Sequence, residues 1–334
     1  MKNHVICTIS FLLSVLLSAA GMARPAPVGM ESDLVLLDLE KFQELPFRIY
    51  YPRNPGTYPA IILSHERGGD QSSREELSRA WSAEGFVCIV PSHQDPIPER
   101  LKDPRFTADI PASTATQAIL KRVEDIRFIL DSLEDIAGST LPEGVRLDTG
   151  CVGLVGADWG AQVAQLMGGA RLFHALSNEA VSFKDDRIRA FLLLDPPQDS
   201  RPFKATSASW TRFFRPLMIV AAPDCPPAVV KSLEGSFFAS PAGNKSLLHI
   251  KSADHDRPPS PAKAPATSPD SPLAVMSFQP DAPRAPSDSS FDILAGNTLC
   301  FWEAFLCQDP HQLQRLKTGD IHGRGKTLSY HFHQ

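Results

Sequence analysis

An excess of charge of either sign is missing from this chain of 334 residues, in which 33 Lys and Arg stand against 38 Asp and Glu for a formal net charge of -5. With a pI near 6.1, that balance excludes the basic surplus expected of a nucleic-acid or anionic-membrane binder. A spanning segment is lacking too. The one extended apolar stretch, Val5 to Leu17, is shorter than the ~20 residues needed to cross a bilayer. No cysteine follows it, which excludes the lipid attachment point of a bacterial lipoprotein. No His-Glu-x-x-His or other short ligand spacing occurs, so neither a metal nor a cofactor is expected. Glycine is scarce beside proline, 20 against 30.

What is present begins with Met1-Lys-Asn-His, the apolar stretch, and small residues up to Ala23 ahead of Arg24-Pro25. This pattern predicts a signal peptide over residues 1–23, cleaved after Ala23, and so a secreted or periplasmic protein with no stable membrane insertion afterwards. Five cysteines remain beyond it: Cys88, Cys151, Cys225, Cys300 and Cys307. An odd number leaves at least one unpaired, so disulfides do not organise the fold.

Val35 to Leu39 and Phe47 to Tyr51 alternate or nearly so, as half-buried strands do, whereas Ala60 to Leu63 is continuously apolar, as in a central parallel strand. Helices are expected over Ser72 to Ala83, Ala112 to Ile136, the residues after Gly160, Pro227 to Phe238 and Phe291 to Leu306. They interleave with strands at Phe86 to Val90, up to Val155, Ala190 to Leu194, Pro216 to Ala221 and Ser246 to Ile250. An antiparallel start followed by repeated βα units predicts an α/β fold, with a mostly parallel central sheet and helices on both faces. One domain is expected over 34–310, with 311–334 as a C-terminal tail. Residues 257–290, rich in Pro, Ser and Ala, cannot build a core and are expected to form an inserted loop.

Ligands on such sheets bind at the carboxyl ends of the strands. Five loops lie there: Ser64-His-Glu-Arg-Gly-Gly69, Gly156-Ala-Asp-Trp-Gly160, Asp195-Pro196, Pro223-Asp-Cys225 and Ala253-Asp-His-Asp256. The chain order is a nucleophile slot, an acid and a histidine, the order of an α/β-hydrolase. The stretch Tyr58 to Gly69 resembles the oxyanion loop of dienelactone-hydrolase-like and platelet-activating-factor-acetylhydrolase-like proteins. Arg122 to Asp131 resembles the helix before their nucleophile strand, Ala253-Asp-His255 their histidine turn, and Thr298 to Phe305 their final helix.

The resemblance implies an α/β-hydrolase fold acting on a small-molecule ester or lactone. It places Asp158 in the nucleophile slot, His255 as base and Asp224 or Asp195 as its orienting acid. The N–H groups of Trp159 and of Glu66 or Arg67 become the oxyanion donors. Two departures stand out: Glu66 replaces a glycine of the oxyanion loop, and Asp158 replaces the serine. A carboxylate attacking an ester would form an anhydride, a poor intermediate; beside a histidine it would instead act as a base on water.

Two other readings remain at this point. One is a non-catalytic relative that keeps the sheet and pocket for binding. The other is an aspartate-nucleophile haloalkane dehalogenase or epoxide hydrolase, whose turn often reads Asp-Trp-Gly, as residues 158–160 do here. Those enzymes carry a helical cap, for which the residues between Asp195 and Pro216 are too few. Epoxide opening also needs cap tyrosines, and Tyr50, Tyr51, Tyr58 and Tyr330 are not so placed. No large helical cap is therefore expected. His65 and His93 are expected to hold their loops.

Overall fold

Strands that are buried on both faces carry the architecture. The computed structural model describes residues 26–38, 43–97, 110–174, 177, 179–197, 202–222, 225–250, 290–323 and 328–333. The expected signal segment, Asp224, His255 and residues 257–289 of the expected loop 257–290 lie outside the described residues, and Ser290 opens α6.

The main sheet contains β1 (Val28–Asp38), β2 (Gln43–Pro52), β3 (Gly56–Ser64), β4 (Val87–Pro91) and β5 (Val145–Ala157). After the short strands β6 (Leu172–His174) and β7 (Ala180–Val181) come β8 (Ile188–Leu194), β9 (Phe203–Lys204), β10 (Leu217–Ala221), β11 (Lys245–Ile250) and β12 (Leu328–His333). The order in the nine-stranded sheet is β1-β2-β4-β3-β5-β8-β10-β11-β12. From β4 to β11 every neighbouring pair is parallel, while β1, β2 and β12 run antiparallel to their neighbours. The continuous apolar runs follow from this placement, because successive side chains point to opposite faces and both faces are covered. In β3, Ala60 and Ile62 join one core, and Ile61 and Leu63 the other. In β8, Phe191 and Leu193 face one side, and Leu192 and Leu194 the opposite side.

On the first face pack α2 (Ala112–Asp131), α4 (Trp159–Met167) and α5 (Pro227–Ala239), through Ile119, Leu166 and Leu233 among others. On the second pack α1 (Glu75–Ala83), α6 (Ser290–Phe305) and α7 (Pro310–Thr318), through Trp81, Trp302 and Leu316. The single helix expected from Ala112 to Ile136 is interrupted. Ser132, at φ -110 and ψ 11, ends α2, and α3 (Leu133–Thr140) follows. The order β3, β4, β5 also reverses direction along the sheet, since β4 lies outside β3 and the chain returns to place β5 on its inner side.

Within the expected C-terminal segment 311–334, the described residues 311–323 and 328–333 pack onto the sheet and its second core. Asp309 caps α7 by accepting the N–H groups of His311 and Gln312. Further on, β12 extends the sheet at β11, with Leu328, Tyr330 and Phe332 against the second core. The ordered fold also begins before residue 34, with Val28 in β1 pairing with Pro52. A separate small sheet, β7-β6-β9, lies between α4 and β10 and went unpredicted, its strands being two or three residues long. Among the described residues no cysteine is in a disulfide. Burial pushes Cys88 up to about 12, which makes it a packing residue and not a nucleophile.

Candidate active site

The turn between β5 and α4 is held in a conformation that only close backbone packing can sustain. Asp158 sits at φ 48 and ψ -110, in a left-handed region that a side-chain-bearing residue seldom adopts. Its flanking glycines are needed for approach. A Cβ on Gly156 would lie 2.0 Å from the Gly160 carbonyl oxygen, and one on Gly160 would lie 1.9 Å from that of Ser64. The Asp158 N–H donates to the Leu194 carbonyl at 3.2 Å, and its own carbonyl accepts the Ala161 N–H at 2.9 Å, opening α4.

The carboxyl of Asp158 turns toward two backbone donors. Arg67 N–H donates to Oδ2 at 3.3 Å, and the Trp159 N–H turns its dipole toward the same carboxyl. These are two of the three groups expected to serve an oxyanion, and here they serve Asp158 itself. Burial pushes this carboxyl above the usual carboxylate range, although the two N–H groups and the charges of Arg122 and Arg67 oppose the rise. The Trp159 ring is buried, with the guanidinium carbons of Arg67 and Arg122 at 5.8 and 5.9 Å from it.

The loop that presents Arg67 is clamped from α2 and from the segment that follows β4. Arg122 on α2 donates to the carbonyls of His65 and Glu66 and forks onto Asp95, at 2.9 and 2.6 Å. His65 Nδ1–H donates to the Glu66 carbonyl at 2.6 Å, and its Nε2 accepts the His93 N–H at 3.1 Å. This pairing needs a neutral ring. Burial, with Arg122 and His93 nearby, holds His65 well below the usual imidazole range. The Glu66 side chain lies near the position a Cβ of Gly69 would take and reaches to 4.0 Å from Arg74.

A third cluster has the order of a catalytic relay. Ser64 Oγ lies 3.0 Å from His93 Nε2, His93 Nδ1 lies 2.9 Å from Asp125 Oδ2, and Lys121 Nζ donates to Asp125 Oδ1 at 2.5 Å. Ser64 has no accessible surface, however, and its backbone is packed against Gly160. No substrate atom reaches it, so the relay ties β3, β4 and α2 together beneath the turn. Burial depresses His93 despite the pull of Asp125. Burial alone would raise Asp125, but its bonds from His93 and Lys121 keep it below the usual range.

Of the residues expected at the site, the structure brings together Asp158, Trp159 and Arg67, with the Glu66 carbonyl pinned beside them. Asp195 is near the turn but engaged elsewhere. It is exposed at φ 48 and accepts the Ala222 N–H at 2.6 Å, bracing the end of β8 against β10. Asp195→Ala is expected to cost about 1 kcal/mol of stability in a urea titration, the worth of a typical hydrogen bond, and Asp195→Asn much less because its amide oxygen still accepts. Sequence reading missed Ser64, Asp125, Asp95 and the full role of Arg122. The available signal was Arg122 and Asp125 falling among the apolar positions Ile119, Val123 and Ile126 of one helix, where an unpaired charge is not tolerated.

No protein-family model matches the chain, and no curated protein matches it in sequence.

Proposed function

We propose that the chain is an exported α/β-hydrolase-fold protein, related to carboxylic-ester and lactone hydrolases, in which Asp158 disarms the esterase site. The seating of the Asp158 carboxyl against the Arg67 and Trp159 N–H groups carries this reading. The position of the turn supports it: β3 and β5 are neighbours whose connections leave in opposite directions, so the loops after them border the crevice where open α/β sheets take ligands. That is also where a hydrolase places its nucleophile on a strained strand-to-helix turn. Between β8 and β10 the described residues hold only β9 and a 3-10 turn at Ser207–Trp210, which agrees with a scaffold lacking a helical cap.

An oxyanion pocket works by presenting preorganised donors to charge that develops in the transition state. Here a carboxyl already takes those donors. An incoming ester carbonyl must displace it, and the attacking oxygen would be a carboxylate whose acyl product is an anhydride. Both effects act against turnover. Replacing Asp158 by serine removes the occupant and restores a hydroxyl nucleophile.

With short-chain p-nitrophenyl esters, wild type and Asp158→Ala are expected to release nitrophenol at the buffer rate, and Asp158→Ser to exceed them by at least about tenfold, or about 1.4 kcal/mol of barrier. Wild-type turnover that disappears in Asp158→Ala would mean that the carboxylate does the chemistry, and would overturn the proposal.

A further inference from the structure

A hollow lies at the far end of α4, away from Asp158. The helix rises about 13 Å over its nine residues and runs into Gly168 and Gly169. Around that end, α2, the β6–β7 segment and the loop before β10 border an open, solvent-facing hollow of about 810 Å³, a volume within the usual range for small-molecule sites.

Its lining is cationic in a chain of net negative charge. Arg127, Arg171, Lys184 and Arg212 line it, and among the described residues no acidic side chain does. Two of the four are already engaged: Arg127 donates to the Phe183 carbonyl at 3.2 Å and approaches Asp185 at 3.9 Å, and Lys184 pairs with Asp186 at 2.7 Å. Arg171 and Arg212 are exposed, and among the described residues neither side chain has a hydrogen-bond or ion-pair partner. Cations do favour a helix C-terminus, but the carbonyls there are already satisfied. Leu166 accepts the Gly169 and Phe183 N–H groups, Met167 that of Asp185, and Gln165 that of Ala170. The α4 terminus therefore does not account for Arg171 and Arg212.

The cavity also has an aromatic component. The Arg127 guanidinium lies over the Phe183 ring at 5.7 Å, and Phe214 stands 66% exposed at the rim. A solvent-exposed phenylalanine beside unpaired arginines suits a ligand with a charged end and a flat apolar end, since arginine matches the paired oxygens of a phosphate or sulfate and the ring covers the remainder.

We infer that this cavity binds a small organic anion, one carrying a phosphate or sulfate group on an aromatic or similarly flat apolar body. The site is independent of Asp158 and of the reading given to it.

Calorimetric titration of the purified protein with 2-naphthyl phosphate and with 2-naphthol, at low ionic strength, tests the inference. Saturable binding of the phosphate is expected, at least about tenfold tighter than the naphthol. The double variant Arg171→Ala/Arg212→Ala should weaken the phosphate by about tenfold or more, and Phe214→Ala should weaken both ligands. Arg53→Ala, at an exposed arginine just past the end of β2, should change neither, and circular dichroism should show each variant folded. Equal binding of the two ligands, an unaffected double variant, or no binding of the phosphate at millimolar concentration would each overturn the inference.

Discussion

Arg122→Met is expected to lower the unfolding free energy by about 3–5 kcal/mol, the cost of breaking one side of a buried ion pair. The Arg122 side chain has no accessible surface and that of Asp95 is 4% exposed, so removing the guanidinium strands a carboxylate where water does not reach it. The loss is compounded at the carbonyls of His65 and Glu66, which Arg122 also serves. Urea denaturation followed by circular dichroism measures the change. A loss below about 1 kcal/mol would class the pair with surface salt bridges and contradict the burial argument. Arg122→Met/Asp95→Leu is expected to recover part of the deficit, because the orphaned charge goes with its partner. The same clamp sets the direction of the Arg67 N–H. Placing Arg122→Met in Asp158→Ser is therefore expected to remove the esterase activity gained by serine, even at temperatures where the double variant remains folded.

The clamp also shows what a sequence reveals and what it hides. The central strands were legible because burial on both faces leaves nothing but apolar residues in Ala60–Leu63 or Ala190–Leu194. The turn at Asp158 was legible because its two glycines stand where backbone meets backbone at under 2.1 Å from an added Cβ, a constraint that leaves no other residue type. The Ser64–His93–Asp125 relay was not, since its members are 29 and 32 residues apart and nothing local marks them as neighbours. Strand β12 alternates Leu, Tyr and Phe with Ser and His, yet a six-residue edge strand buried on one face gives a weak signal, and its pairing with β11 is set by the finished sheet. The occupation of the oxyanion donors by Asp158 is likewise a matter of rotamer and loop position. Sequence located the residue, and only coordinates located its carboxyl.

A buried lysine provides the second large effect. Lys245, the first residue of β11, has no accessible surface, and its Nζ donates to the Gly243 carbonyl at 2.9 Å. Burial pulls its amine down from 10.5 to about 8. The unfolded chain thus holds this proton to a higher pH than the folded one. The sign follows directly: the folded state binds fewer protons, so stability carries the full penalty below about pH 8 and recovers as pH climbs toward 10.5. The gap corresponds to about 3 kcal/mol. Lys245→Met fills nearly the same volume without a charge to desolvate, and is expected to be about 3 kcal/mol more stable than wild type at pH 7. That advantage should shrink steadily through the alkaline range, and the difference between the two melting curves across pH isolates it from the other cysteines, tyrosines and lysines that titrate there. An advantage that stays constant from pH 7 to about pH 10.5 would instead assign the gain to packing, with the amine hydrated in the folded state.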